Sequence, residues 1–109
     1  MIAAQFIFEP GTYDDEFQAL DDSIAEKARE LPGFRGVDRW VSDDGTKVNA
    51  IYYFDKMSDL TKLGRFDDHR EAKGKVSRWY KGYRVIVSEV TANYGSGFEE
   101  HPSLNKTIS

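Results

Sequence analysis

The sequence predicts an α+β domain: a four-stranded antiparallel sheet with helices on one face, completed by a second copy of the same chain. Three observations predict it. Apolar patterning switches between the two-residue period of strands and the three-to-four-residue period of helices, in the order strand, helix, strand, strand, helical segment, strand. The predicted strands are apolar on both sides, so the helices of one chain can cover only half of what the sheet presents. The 109 residues also include seven Phe, six Tyr and two Trp, a heavy aromatic load for so small a core.

Ile2 to Phe8 reads as the first strand, with Ile2, Ala4, Phe6 and Phe8 on one face and Ala3, Gln5 and Ile7 on the other. Pro10-Gly11 ends it. Thr12, with Asp15 three residues on, resembles a capping box for the helix that follows. The apolar stripe of that helix is Phe17, Leu20, Ile24, Ala28 and Leu31. Asp14, Asp15 and Glu16 crowd its start, where negative charge suits the helix dipole, and Leu31-Pro32-Gly33 stops it.

Val37 to Val41 and Lys47 to Phe54 flank Asp43-Asp44-Gly45-Thr46, a hairpin signature. Val48, Ala50, Tyr52 and Phe54 fall on one side of the second arm, and Asn49, Ile51 and Tyr53 on the other. Asp55 to Arg65 predicts a short helix with Ser58 as cap and Gly64 as its end. A further helix runs from Asp67-Asp68 to about Tyr80, with His69, Ala72, Lys73, Val76, Trp79 and Tyr80 on one side and Gly82 closing it. Tyr83 to Tyr94 is the last strand. Residues 1–94 thus make the domain, and 95–109 a polar tail.

This element order is the ferredoxin-like arrangement. One sheet face meets the helices, while the other, expected to be rich in Phe, Tyr and Ile, needs a partner. Two such sheets face to face form a barrel-like homodimer with a cavity on each side.

The totals narrow the function classes. One domain is all that 109 residues can stabilise. No cysteine is present, which removes disulfides, thiolate zinc sites and cysteine nucleophiles. The start of the chain lacks a basic n-region and no apolar run reaches the ~18 residues of a membrane span, so a cytoplasmic location off the membrane is expected. A net charge of −4 argues against nucleic acid, even though Trp79, Tyr80 and Tyr83 lie among Arg78, Lys81 and Arg84. Counted from the sequence, residues 1–55 carry five basic and twelve acidic side chains, and 56–94 nine basic and five acidic. Solvated helix faces or facing halves of a dimer both fit that asymmetry.

Four segments carry a resemblance: Glu9-Pro10-Gly11 before the first helix, Glu30-Leu31-Pro32-Gly33-Phe34 into the second strand, Tyr53-Phe54-Asp55-Lys56-Met57-Ser58-Asp59-Leu60, and His69-Arg70-Glu71-Ala72-Lys73. In this order they resemble the antibiotic biosynthesis monooxygenase superfamily of dimeric α/β-barrel proteins, over residues 1–94. The resemblance implies a homodimer whose cavity binds a small aromatic, phenol or quinol in type, and oxygenates it without metal, flavin or other cofactor. Such chemistry asks for stacking surfaces, one or two hydrogen-bond donors and a base.

The superfamily's haem-degrading branch pairs an asparagine with an axial histidine where this chain has Ala4 or Gln5 and Lys73, and Phe54 stands where relatives carry tryptophan. Haem binding therefore ranks third, behind a non-catalytic dimer that holds an apolar metabolite. Under the leading reading His69 is the candidate base, and Tyr52, Phe54, Trp79, Tyr83 and Arg39 are the candidate binding residues. Arg39 and Trp40 are sequence neighbours on a strand, so one of them faces inward. No metal-ligand spacing surrounds His69.

Overall fold

The computed structural model describes residues 1–65 and 76–95. Among these described residues, seven elements run in the order β1 (Ile2–Pro10), α1 (Asp15–Glu30), β2 (Phe34–Val41), β3 (Val48–Phe54), α2 (Met57–Arg65), α3 (Val76–Trp79) and β4 (Tyr80–Glu89). The strands form one antiparallel sheet ordered β2-β3-β1-β4, which is the ferredoxin-like α+β arrangement expected.

Boundaries differ from expectation where local chemistry overrides the pattern. The cap of α1 is Asp14, not Thr12: its carboxylate accepts the Phe17 N–H at 2.8 Å. Strand β2 begins three residues before Val37, because Phe34 pairs with Phe54 across a bulge relaxed at Gly36, whose φ is 129°. Helix α2 contains Gly64 instead of ending there, and its start is fixed by Asp59 instead of Ser58. The Asp59 carboxylate reaches back to accept the Lys56 N–H at 3.1 Å, half of a capping box. Tyr80 opens β4 instead of closing a helix, since it pairs with Pro10, and Gly82 lies inside the strand opposite Glu9. The beginning of the helix expected from Asp67, His69 with it, and the expected tail from Ser96 onward lie outside the described residues.

Register decides what each sheet face carries. Phe6 pairs with Ala50 and Val85, Phe8 with Val48 and Tyr83, and Ala4 with Tyr52 and Val87. Directly paired residues project to the same side, so Phe6, Phe8, Tyr52 and Phe54 all lie under the helices. The opposite face bears Ile7, Ile51, Tyr53, Ile86 and Trp40. Its apolar residues stand among the polar Gln5, Asn49, Asp38 and Arg84, so the face is mixed, and the phenylalanines expected there are on the helical side.

Between helices and sheet the packing divides into two clusters. One joins Phe17 and Leu20 of α1 to Trp79, with Tyr80 against them. The other joins Ala28 of α1, Phe54 of β3 and Leu63 of α2, with Ile24, Leu31, Phe34, Tyr52 and Leu60 around them. Burying each large apolar side chain contributes on the order of 1.5–3 kcal/mol. No described helix is long and apolar enough to cross a membrane.

Candidate functional site

The two clusters do not meet. Between them lies a cavity of about 560 Å³, roofed by α1 and α2 and floored by the sheet. Its floor is low because the small Ala50 stands among the larger Tyr52, Phe6 and Arg39, and its roof thins at Gly64, where a side chain would meet open space. This cavity is on the helical side and is built from one chain, which places it away from the sheet face expected to meet a partner.

Seven of its sixteen described lining residues are aromatic. Phe8 stacks on Tyr80 at 4.4 Å between centroids, Phe6 meets Tyr52 edge-on at 5.8 Å, and Phe17 meets Trp79 edge-on at 5.2 Å. Such offset and edge geometries hold rings in place beyond simple area burial. Trp79 is itself anchored: its Nε1–H donates to Asp14 at 3.1 Å, while the Arg78 guanidinium donates to Asp14 at 3.0 Å and to Glu16 at 3.3 Å. The Gly11 N–H donates to the Trp79 carbonyl at 2.6 Å, and a methyl at Gly11 would crowd that carbonyl. One carboxylate thus caps α1 and fixes the indole that closes the end of the cavity.

Against this apolar wall, the described lining residues include two charged ones, Asp21 of α1 and Arg39 of β2. Arg39 is the inward member of the Arg39–Trp40 pair, because it stands beside Ala50 on the cavity floor. Burial raises the Asp21 carboxyl above its usual range; Arg39 pulls it partly back and Asp22 pushes it further up. Burial likewise raises the Tyr52 hydroxyl, with Asp21 adding to the shift and Arg39 and Arg29 opposing it. Tyr80 is raised strongly by burial, with Tyr13 and Asp21 reinforcing it. Both phenols therefore stay protonated near neutrality and are available as hydrogen-bond donors.

Of the residues expected from the sequence, Tyr52, Trp79, Tyr83 and Arg39 are brought together on the cavity wall. Phe54 is not on it: the side chain is fully buried against Ala28 and Leu63 and acts as core. His69 lies outside the described residues. Sequence reasoning passed over Asp21, which looks like part of an acidic, solvated helix face. The signal was present, since Asp21 is four residues after Phe17 and three before Ile24, on the apolar stripe itself. Among the described residues no group of three or more His, Asp or Glu is arranged to hold a metal.

Solved structures share this architecture. A protein of Mycobacterium tuberculosis, Rv0793, superposes with a TM-score of 0.70 at 18% identity, over 86% of this chain and 98% of that one. An antibiotic biosynthesis monooxygenase, so named provisionally, from Nitrosomonas europaea gives 0.64 at 16% identity, over 84% and 99%. SnoaB of Streptomyces nogalater, a cofactor-independent oxygenase, gives 0.66 at 10% identity, over 82% and 91%. The chain has the antibiotic biosynthesis monooxygenase fold. At these identities the likeness is one of fold, and the antibiotic biosynthesis monooxygenase fold is where the sequence resemblance had pointed. No protein-family model matches the chain, and no curated protein matches it.

Proposed function

We propose that this chain is a cofactor-independent, monooxygenase-like protein that binds a small phenol- or quinol-type aromatic in the cavity under its helices. The observation that carries this reading is the cavity itself: about 560 Å³, within the ~300–1,000 Å³ range of small-molecule sites, walled by rings and holding a carboxyl, a guanidinium and two neutral phenols. The rings hold a flat substrate by stacking and exclude water. The Asp21 carboxylate, made more basic by burial, takes the substrate's phenolic proton, and the Tyr52 and Tyr80 hydroxyls donate to the oxygen that becomes negative, with the Arg39 charge nearby.

The electron-rich anion then reduces dioxygen directly. A carbon–oxygen bond forms, the carbon–hydrogen and oxygen–oxygen bonds break, one oxygen stays as a carbonyl and the other leaves as water. His69, the base expected from the sequence, lies outside the described residues, and Asp21 fills that role among them. Tyr83 and Trp79 serve as walls in this reading.

The protein works as a cytoplasmic homodimer in this proposal. Support comes from the sheet face away from α1 and α2, where Ile7, Ile51 and Ile86 lie together and the Asn49 Oδ1 is buried with no hydrogen-bond partner among the described residues. Native mass spectrometry is expected to give twice the 12.5 kDa chain mass, and a monomer would remove the dimer. Oxygen uptake with 1,5-dihydroxynaphthalene tests the chemistry. Protein-dependent uptake matched one-to-one by quinone formation is the expected result. Binding without uptake would leave the non-catalytic holder of an apolar metabolite in its place.

A further inference from the structure

We propose that Arg39 and Asp21 select an aromatic ligand bearing both a carboxylate and a phenolic hydroxyl, the carboxylate on the Arg39 guanidinium and the hydroxyl donating to the Asp21 carboxyl. This deepens, and rests on, the reading of the cavity as a phenol site.

Arg35 lies 3.6 Å from Asp55, and Arg78 is shared between Asp14 and Glu16. Arg39 makes no such ion pair or hydrogen bond among the described residues, although it lines the cavity. It lines the cavity from the inner side of β2 and is exposed there, open to a ligand. A guanidinium presents a planar fork of donors that matches a carboxylate bidentately, which a lone hydroxyl does not satisfy.

Asp21 sits on α1, a different element of the same cavity, and is half-buried. Its neighbour Asp22 is turned to the helix surface, where it accepts the Gln18 side-chain amide at 2.8 Å; Asp21 makes no hydrogen bond among the described residues. The charges of both Asp21 and Arg39 are felt at Tyr13, Tyr52 and Tyr80, so the two groups act on one polar zone in an otherwise aromatic wall. A ligand that engages only Arg39 leaves the half-buried Asp21 carboxyl unpaired beside it.

The sign of the preferred ligand follows from how firmly each charge is held. A guanidinium stays charged at every accessible pH, whereas burial pushes the Asp21 carboxyl toward its neutral form. The positive member dominates, so the cavity favours an anion over an amine. A carboxylate supplies that anion without using the phenol that Asp21 needs.

Calorimetric titration of the full-length protein at neutral pH tests this with 6-hydroxy-2-naphthoate, 2-naphthoate, 2-naphthol and the cationic 2-naphthylmethylamine. The hydroxynaphthoate is expected to bind ~10-fold or more tightly than 2-naphthol, the scale of one charge-assisted hydrogen-bonded pair. Arg39→Gln is expected to abolish that advantage and Arg39→Lys to keep part of it; Asp21→Asn is expected to erase the gain of hydroxynaphthoate over 2-naphthoate. Equal binding of 2-naphthol and hydroxynaphthoate, tightest binding of the amine, or a carboxylate preference untouched in Arg39→Gln would each overturn the assignment while leaving a phenol site standing. Failure of all four naphthalenes to bind would overturn the phenol site as well.

Discussion

The two ends of the helical layer solve the same packing problem differently. At one end, Phe54 is fully enclosed by Ala28 and Leu63, and no polar group takes part. At the other, Trp79 is equally buried, at 1% exposure, but it is held by a hydrogen bond to Asp14 and by ring contacts with Phe17. The first end resists through close packing alone; the second depends on a charged cap shared by a helix, an arginine and an indole. The cavity exists because these two clusters stay apart, so each end bears on the site in its own way.

Phe54→Ala is the sharpest way to break this comparison. It empties the close-packed end and is expected to destabilise the fold by ~3–5 kcal/mol, read from chemical denaturation. A loss below ~1 kcal/mol would mean that the Phe54 end is not a packed core. Gly33→Ala comes next. A methyl there would overlap the Asp59 carboxylate, displacing the group that starts α2, at a cost of about 1–3 kcal/mol. Full stability in that variant would show that Asp59 has somewhere else to go.

Asp14→Ala tests the polar end and is expected to cost less than either, while loosening Trp79 enough to change its fluorescence. The Phe17 N–H has the largest influence on the Asp14 carboxyl; desolvation opposes it next, and the Trp79 and Arg78 contacts then help to hold the group below its ordinary value of 3.8. A depressed carboxyl contributes stability that is present above that value and is lost as pH falls through the folded one. The variant should therefore unfold with a flatter acid limb, and an unchanged limb would remove Asp14 from the latch.

The smallest effect is expected on the helix-free face. Tyr53 donates to Asp38 at 3.0 Å, and Tyr53→Phe should cost ~0.5–1.5 kcal/mol. Burial, then that bond, push the Tyr53 hydroxyl from 10.0 up to about 12. Stability held below pH 10.0 is thus lost as pH rises through about 12, and this alkaline loss should shrink in the variant.

The strands and α1 were legible because their periods are strong and their ends carry Pro10-Gly11 and Pro32-Gly33. The start of β4 was not, since no breaker separates Trp79 from Tyr80; the strand begins there because Pro10 offers a pairing partner seventy residues away, a long-range cause. Four of the six expected site residues share the cavity: Arg39, Tyr52 and Tyr83 because aromatic and basic residues on inward strand positions announce themselves, and Trp79 from the helical turn before β4. Phe54 carried the same signal but is sealed by Ala28 and Leu63, which only the tertiary arrangement reveals. Asp21 was hidden by its acidic neighbours, although its place on the helix stripe betrays it.

The sheet order has a consequence for how the chain is made. Strand β1 is central, flanked by β3 and β4, yet it is the earliest of the four strands to be synthesised. Its neighbours arrive roughly forty to eighty residues later, several seconds at ordinary translation rates. Until then two sets of backbone donors and acceptors stand open beside Phe6 and Phe8. The nascent chain therefore passes through an interval in which its most adhesive strand is unpaired, and the local α1 and the β2–β3 hairpin are the elements able to form first.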